Sequence, residues 1–165
     1  MAGVSMVELA IVIIPLVMIV FGITELGRAL YQDNSLTKAV NIGARYIARQ
    51  PDLLHSPYAE NNPCAVVDGG RWSSVQGEAK NLIICGRRGD CDAQEAVVPG
   101  LVADHIHIPE PVFVPASDYG GNPACRITVT ARTPFSPIFG DVVVPFTSVG
   151  LFSLTARTEE RYIGG

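Results

Sequence analysis

Charge is scarce in this chain. Only 17% of its 165 residues are Asp, Glu, Lys or Arg, against roughly a quarter in ordinary globular domains. Between Leu9 and Thr24 there is none. The basic residues are scattered, the doublet Arg87-Arg88 is followed by Asp90, and the net charge is −4. No basic field for nucleic acid exists here, and nucleic-acid binding is excluded as an expectation. The four cysteines contain no CxxC spacing, which argues against zinc and thiol-redox chemistry. No nucleophile-elbow pattern supports Ser-His-Asp catalysis. Gly69-Gly70 and Gly120-Gly121 are followed by no Lys-Ser or Lys-Thr, so they read as turns and not as phosphate loops. Repeats and low-complexity tracts are absent as well. Neither an enzyme nor a cofactor is expected.

What the chain does have is one long apolar run. Val4 to Thr24 is long enough to cross a hydrocarbon core of about 30 Å. Its one charge is Glu8. Beyond Ile23 the pattern turns amphipathic. Leu26, Leu30, Leu36, Val40, Gly43 and Ile47 recur at helical spacing, with Arg28, Gln32, Lys38, Arg45 and Arg49 expected on the other side. Pro51 supplies a stop, because the residue before a proline is pushed out of the α region. The expected helix runs from Val4 to about Arg49, roughly 70 Å, with a kink or local unwinding at Pro15. That length suits a membrane span continued as a spine.

The rest reads as one small domain. Pro51 to Trp72 is a loop by composition. Ser73 or Ser74 is expected to cap a short helix reaching about Leu82, weakened by Gly77. His105 to Val114 carries Ile106, Ile108, Val112 and Val114 on one parity but is broken by Pro109 and Pro111, as in an edge strand. Arg126 to Arg132 alternates as a half-buried strand, with Ile127, Val129 and Ala131 inward. Pro134, Pro137 and Gly140 make a turn-rich connection, and Leu151 to Ile163 forms a last strand with Leu154 and Ala156 facing one way. The fold class is therefore α+β: a long helix followed by a small antiparallel sheet.

Cys64, Cys85, Cys91 and Cys125 all follow the apolar run. An even number beyond a membrane signal points to disulfides in an oxidising compartment. Three connectivities are possible. Cys85–Cys91, as near neighbours, together with Cys64–Cys125 closing the domain, is the favoured one. His105 and His107, with Asp104 and Glu110 nearby, invite a metal site, but a solvated edge strand accounts for them better. Cys85, Cys91, His105 and His107 match no familiar zinc spacing. Arg88-Gly89-Asp90 between two cysteines resembles a receptor-presented tripeptide, for which chance is the better account. Trp72 and the tyrosines read as core or rim.

The strongest signal is Gly3-Val4-Ser5-Met6-Val7-Glu8. An ordinary secretory signal would not place a carboxylate there, and a carboxylate at a membrane helix start is costly without a partner. The pattern resembles the class III signal of type IV pilins and pseudopilins, in which a prepilin peptidase cuts after the glycine. The resemblance implies cleavage between Gly3 and Val4 and makes Glu8 the assembly glutamate, paired with the freed Val4 amine of a neighbouring subunit. Val7-Glu8-Leu9-Ala10, Ile14-Pro15-Leu16, Gly22 to Arg28 and Ala44 to Arg49 together resemble the TadE-like family, minor pseudopilins of tight-adherence (Tad, type IVc) pilus systems. The likeness is strong over Gly3 to Gln50 and weaker over Ala79 to Leu101 and Ser153 to Arg161. Leaders of that family usually carry basic residues before the glycine, and Met1-Ala2-Gly3 has none. A start upstream of Met1 or an unusual processing step is the corresponding expectation.

These readings divide the chain into a leader (1–3), a membrane part (4–24), an amphipathic continuation (25–50) and an extracytoplasmic domain (51–165). The resemblance implies a structural minor pilin, anchored in the inner membrane by a single pass and later at the pilus or cell surface. Its partners would be other pilin subunits, prepilin peptidase and the membrane. The competing readings are an anchored extracytoplasmic enzyme or metal-binding domain, and a pseudopilin of another secretion system.

Overall fold

The computed structural model describes residues 2–92, 95–118, 121–138 and 152–164, with side chains from residue 6 onward. Gly120, Gly140 and Leu151 lie outside the described residues. One helix, α1, occupies Ala2–Ala48. It runs without a break through Pro15, so the local unwinding expected there is not seen. Loss of one amide donor removes one hydrogen bond, and the turns on either side continue regardless. α1 ends where Gln50 N–H donates to the Ile47 carbonyl and Pro51 follows.

The last carbonyls of a helix lack intrahelical partners, and here the other end of the chain serves them. Ile163 N–H donates to the Ala48 carbonyl, and the Tyr162 hydroxyl donates to that of Gln50 at 2.8 Å. The same hydroxyl accepts from Leu53 N–H, and Asp52 N–H donates to Gly164 O. Gly164 is required there because a Cβ would stand 1.9 Å from the Gln50 oxygen.

A second helix, α2, spans Gly69–Cys85. This corrects the expected start at Ser73 or Ser74. Asp68 is the N-cap, its carboxylate accepting from Gly70 N–H at 2.8 Å, while the Ser73 hydroxyl donates back to Gly69 O within the helix. Two successive glycines each disfavour a helix by about 1 kcal/mol. Burial of Trp72, Val75, Ala79 and Ile83 at helical spacing overrides that. Gly86, with φ 71°, closes the C-terminus in the left-handed region. α1 and α2 meet closely at Gly43, where a Cβ would lie 2.5 Å from Ile83 Cγ1.

Among the described residues four strands follow: β1 (Ile106–His107), β2 (Val112–Val114), β3 (Ala124–Pro134) and β4 (Ser153–Arg161). β3 is central. β4 lies antiparallel on one edge, and β1 and β2 pair antiparallel in tandem on the other. The expected edge strand is thus two short pieces, divided at Pro109 and Pro111, which have no N–H for a ladder. Val112 differs from its expected facing and is exposed. On β3, Ile127, Val129, Ala131 and Thr133 are fully buried; on β4, Leu154 and Ala156 join them. This face lies on α1, together with α2, around Leu36, Val40 and Ile47. The fold is α+β, a long helix with a small antiparallel sheet.

The disulfides are Cys64–Cys125 and Cys85–Cys91. The first ties the loop after α1 to the start of β3 and holds Cys64 at φ 65°, a conformation that L side chains adopt at some cost. The second closes a loop at the C-terminal end of α2.

Candidate functional site

α1 is the one described helix long and apolar enough to cross a membrane, and nothing in its most apolar window is buried against the rest of the chain. Every described residue from Met6 to Val20 is exposed. So many unburied apolar side chains in water are a large exposed patch, and they require another apolar environment. Glu8 sits among them, exposed, with no ion pair among the described residues. Gly3 and Val4 lie in the first turns of α1, where only the backbone is described.

Above the span the helix does not turn its leucines inward as the spacing suggests. Leu26 and Leu30 are 61% and 56% exposed, with Ile23 and Tyr31 beside them. The inner face of this stretch carries Glu25, Arg28, Ala29 and Gln32, of which Ala29 and Gln32 are buried. The expected placement of Arg28 and Gln32 on the outer side, with Leu26 and Leu30 on the inner, is therefore corrected. From Leu36 onward the expected stripe holds: Leu36, Val40, Gly43 and Ile47 face the core, while Lys38, Arg45 and Arg49 face out. The apolar surface of the span thus continues upward as a ridge on the side away from the domain.

The polar inner residues are engaged locally. Arg28 pairs with Glu25 at 2.9 Å and stands over the Phe135 ring, 5.7 Å from its centroid. Phe135 stacks on Phe152 with centroids 4.7 Å apart. Ile138 N–H donates to Glu25 Oε1 at 2.7 Å. Composition gave no sign of this knot, because its members are more than a hundred residues apart.

The other candidates separate in space. His107 is exposed on β1, whereas His105 ends a 3-10 turn at Ala103–His105, so the two do not share a strand. Among the described residues no three His, Cys, Asp or Glu side chains converge as a metal site. Cys85 and Cys91, joined to each other, are no ligands for the histidines. Arg88 is turned onto Tyr46, whose hydroxyl donates to Glu78. Burial, and then the bond to Glu78, raise the Tyr46 pKa above the usual phenol value, with Arg88 opposing.

A long helix with an unburied apolar lower half thus carries a small disulfide-bonded α+β domain on its upper half. Residues 3–45 match the family model of TadE-like protein, which shows the resemblance over the span, Glu8 and the ridge. No curated protein and no solved structure matches the chain.

Proposed function

We propose that this chain is a minor pilin of a Tad-type (type IVc) pilus, a structural and assembly component without catalytic activity. The observation that carries the reading is the outward apolar surface of α1, continuous from Met6 to Leu30 and interrupted by the carboxylate of Glu8. Lipid alone disfavours a carboxylate there. A neighbouring helix that offers a positive group does not. In this reading residues 1–3 are a leader removed by prepilin peptidase, and cleavage after Gly3 frees the Val4 amine that pairs with Glu8 across subunits. Residues 4–24 span the inner membrane, 25–50 continue the spine, and 51–165 lie outside the cytoplasm, where the disulfides form. The family match over residues 3–45 supports it.

The test is co-purification of tagged variants with the other pilus subunits, alongside membrane fractionation and N-terminal sequencing. Mature protein is expected to begin at Val4. Glu8→Val should insert as well as the parent yet lose its partners, with Glu8→Asp between the two. A Glu8→Val protein that co-assembles and supports pili like the parent overturns the pairing.

A further inference from the structure

The strands run along α1, and their direction fixes which end of the sheet faces the membrane. At one end Arg45 of α1 pairs with Glu160 of β4, and Ile163 N–H reaches the Ala48 carbonyl. At the other end Phe135 and Phe152 close the β3–β4 ladder beside Arg28, with Phe135 N–H donating to Phe152 O at 2.9 Å. The two lengths agree. The twenty steps from Arg28 to Ala48 rise about 30 Å as helix, and the nine residues of β4 cover about 30 Å as strand. The described end of the β3–β4 ladder therefore lies at the level of Glu25, just beyond the uncharged run that ends at Thr24.

At that end, beside the buried Phe135 and the polar, exposed Ser136 and Ser153, two large apolar side chains are uncovered. Ile138 is 67% exposed and Phe152 45%, although Phe152 already has one ring face on Phe135. Ile138 is held at this height by its bond to Glu25. The sequence joining them, 139–151, is apolar too: seven of its thirteen residues are Val, Leu or Phe, and its one charge is Asp141. A sheet end in water would ordinarily carry a polar turn.

We propose that this end of the sheet, at Ile138 and Phe152, rests on the outer leaflet of the membrane that α1 crosses, so that the protein touches the bilayer twice. Leucine-sized side chains gain free energy on leaving water, and apolar groups beside an anchored helix reach the interface with little further loss of freedom. The Glu25–Arg28 pair then lies at the headgroup level, where charged groups are tolerated. The contact fixes the tilt of the domain over the membrane, which one helix cannot do alone. The inference rests on the reading of residues 4–24 as a membrane span.

The experiment uses the full chain in phosphatidylcholine vesicles whose acyl chains are brominated near the headgroup. Trp72, the chain's single tryptophan, is buried in α2 and supplies an unquenched baseline. Ile138→Trp should add blue-shifted emission that the brominated lipid quenches and aqueous iodide does not. Val12→Trp, within the span, is the control. Quenching of Val12→Trp but not of Ile138→Trp overturns the second contact and leaves the span intact. Quenching of neither overturns the span reading itself. Emission from Ile138→Trp that shifts only when other pilus subunits are added also overturns the proposal, since the surface would then be a protein contact. Phe152→Trp, at a site already aromatic, repeats the measurement if Ile138→Trp folds poorly.

Discussion

At the scale of single residues, two contacts between the helices decide how firmly α2 is held on the spine. Tyr46 donates to Glu78 while Arg88 lies against the same hydroxyl. A hydrogen bond to a charged group contributes about 1.5–3 kcal/mol, and partial exposure places this one at the lower end. Because burial and Glu78 raise the Tyr46 pKa, folding favours the protonated phenol. Its contribution is complete below the usual phenol value of about 10 and is lost as pH rises through the higher folded value. Tyr46→Phe should therefore lower stability near neutral pH by about 1–2 kcal/mol. The variant should also lose part of the parent's decline above pH ~10. Urea unfolding of both proteins at the two pH values checks this; parallel pH curves would remove Tyr46 as the cause.

Gly43 is the second contact. An added methyl would enter the buried Ile83 side chain at 2.5 Å, and overpacking of this kind costs about 1–3 kcal/mol. The better helix propensity of alanine returns up to about 1 kcal/mol. Gly43→Ala is expected to destabilise on balance. Adding Ile83→Val, which removes a methyl from the same contact, should recover much of the loss in thermal melts. A double variant no better than the single one would show that the strain lies elsewhere.

At the scale of elements, the sequence was most legible where one periodicity acted alone. β3 from Cys125 onward and β4 alternate because one face meets the core and the other meets water, and Ile127, Val129, Ala131, Leu154 and Ala156 all lie where that alternation puts them. α2 was read five or six residues short at its start and about three at its end, since Gly69-Gly70 resembles a turn and the burial that overrides it is tertiary. The inner face of α1 between Glu25 and Gln32 was misread for a different reason. Amphipathicity shows which side is apolar but not what covers it, and here the apolar side faces away from the domain. The Glu25–Arg28–Phe135–Ile138 knot was not legible at all, being made by segments far apart in sequence that meet only after folding.

The disulfides act at this same scale. Cys64–Cys125 spans 61 residues and Cys85–Cys91 only 6. In the chain-entropy account the longer closure contributes about 4 kcal/mol and the shorter about 2. Cys64→Ser should therefore lower the melting temperature more than Cys91→Ser, and it also leaves position 64 in a left-handed conformation with no bond to hold it. Alkylation of unreduced native protein should find no free thiol. Equal melting temperatures for the two variants would show that the loop-length argument fails here.

At the scale of the whole molecule, the two faces of α1 beyond Ile23 differ in what they touch. The inner face holds the domain through small, polar and aromatic contacts at Glu25, Arg28 and Ala29, and the outer face adds nothing to that fold. Ile23, Leu26 and Leu30 remain exposed there, at a helical spacing of three and four that makes one ridge. A monomer gains nothing from such a ridge. Against a second helix each leucine would gain about 1.5–3 kcal/mol on burial. The two functions therefore separate by mutation. Leu26→Glu combined with Leu30→Glu should leave the unfolding of detergent-solubilised protein nearly unchanged, within about 0.5 kcal/mol, as surface substitutions usually do. The same pair should abolish recovery of partner subunits from membranes, since two carboxylates would face an apolar surface. Leu36→Glu is the contrasting case: Leu36 is fully buried against the domain, so that variant should lose the fold and the partners together. Should Leu26→Glu with Leu30→Glu co-purify its partners as the parent does, the ridge is not the contact, and assembly would have to run through the span below Thr24.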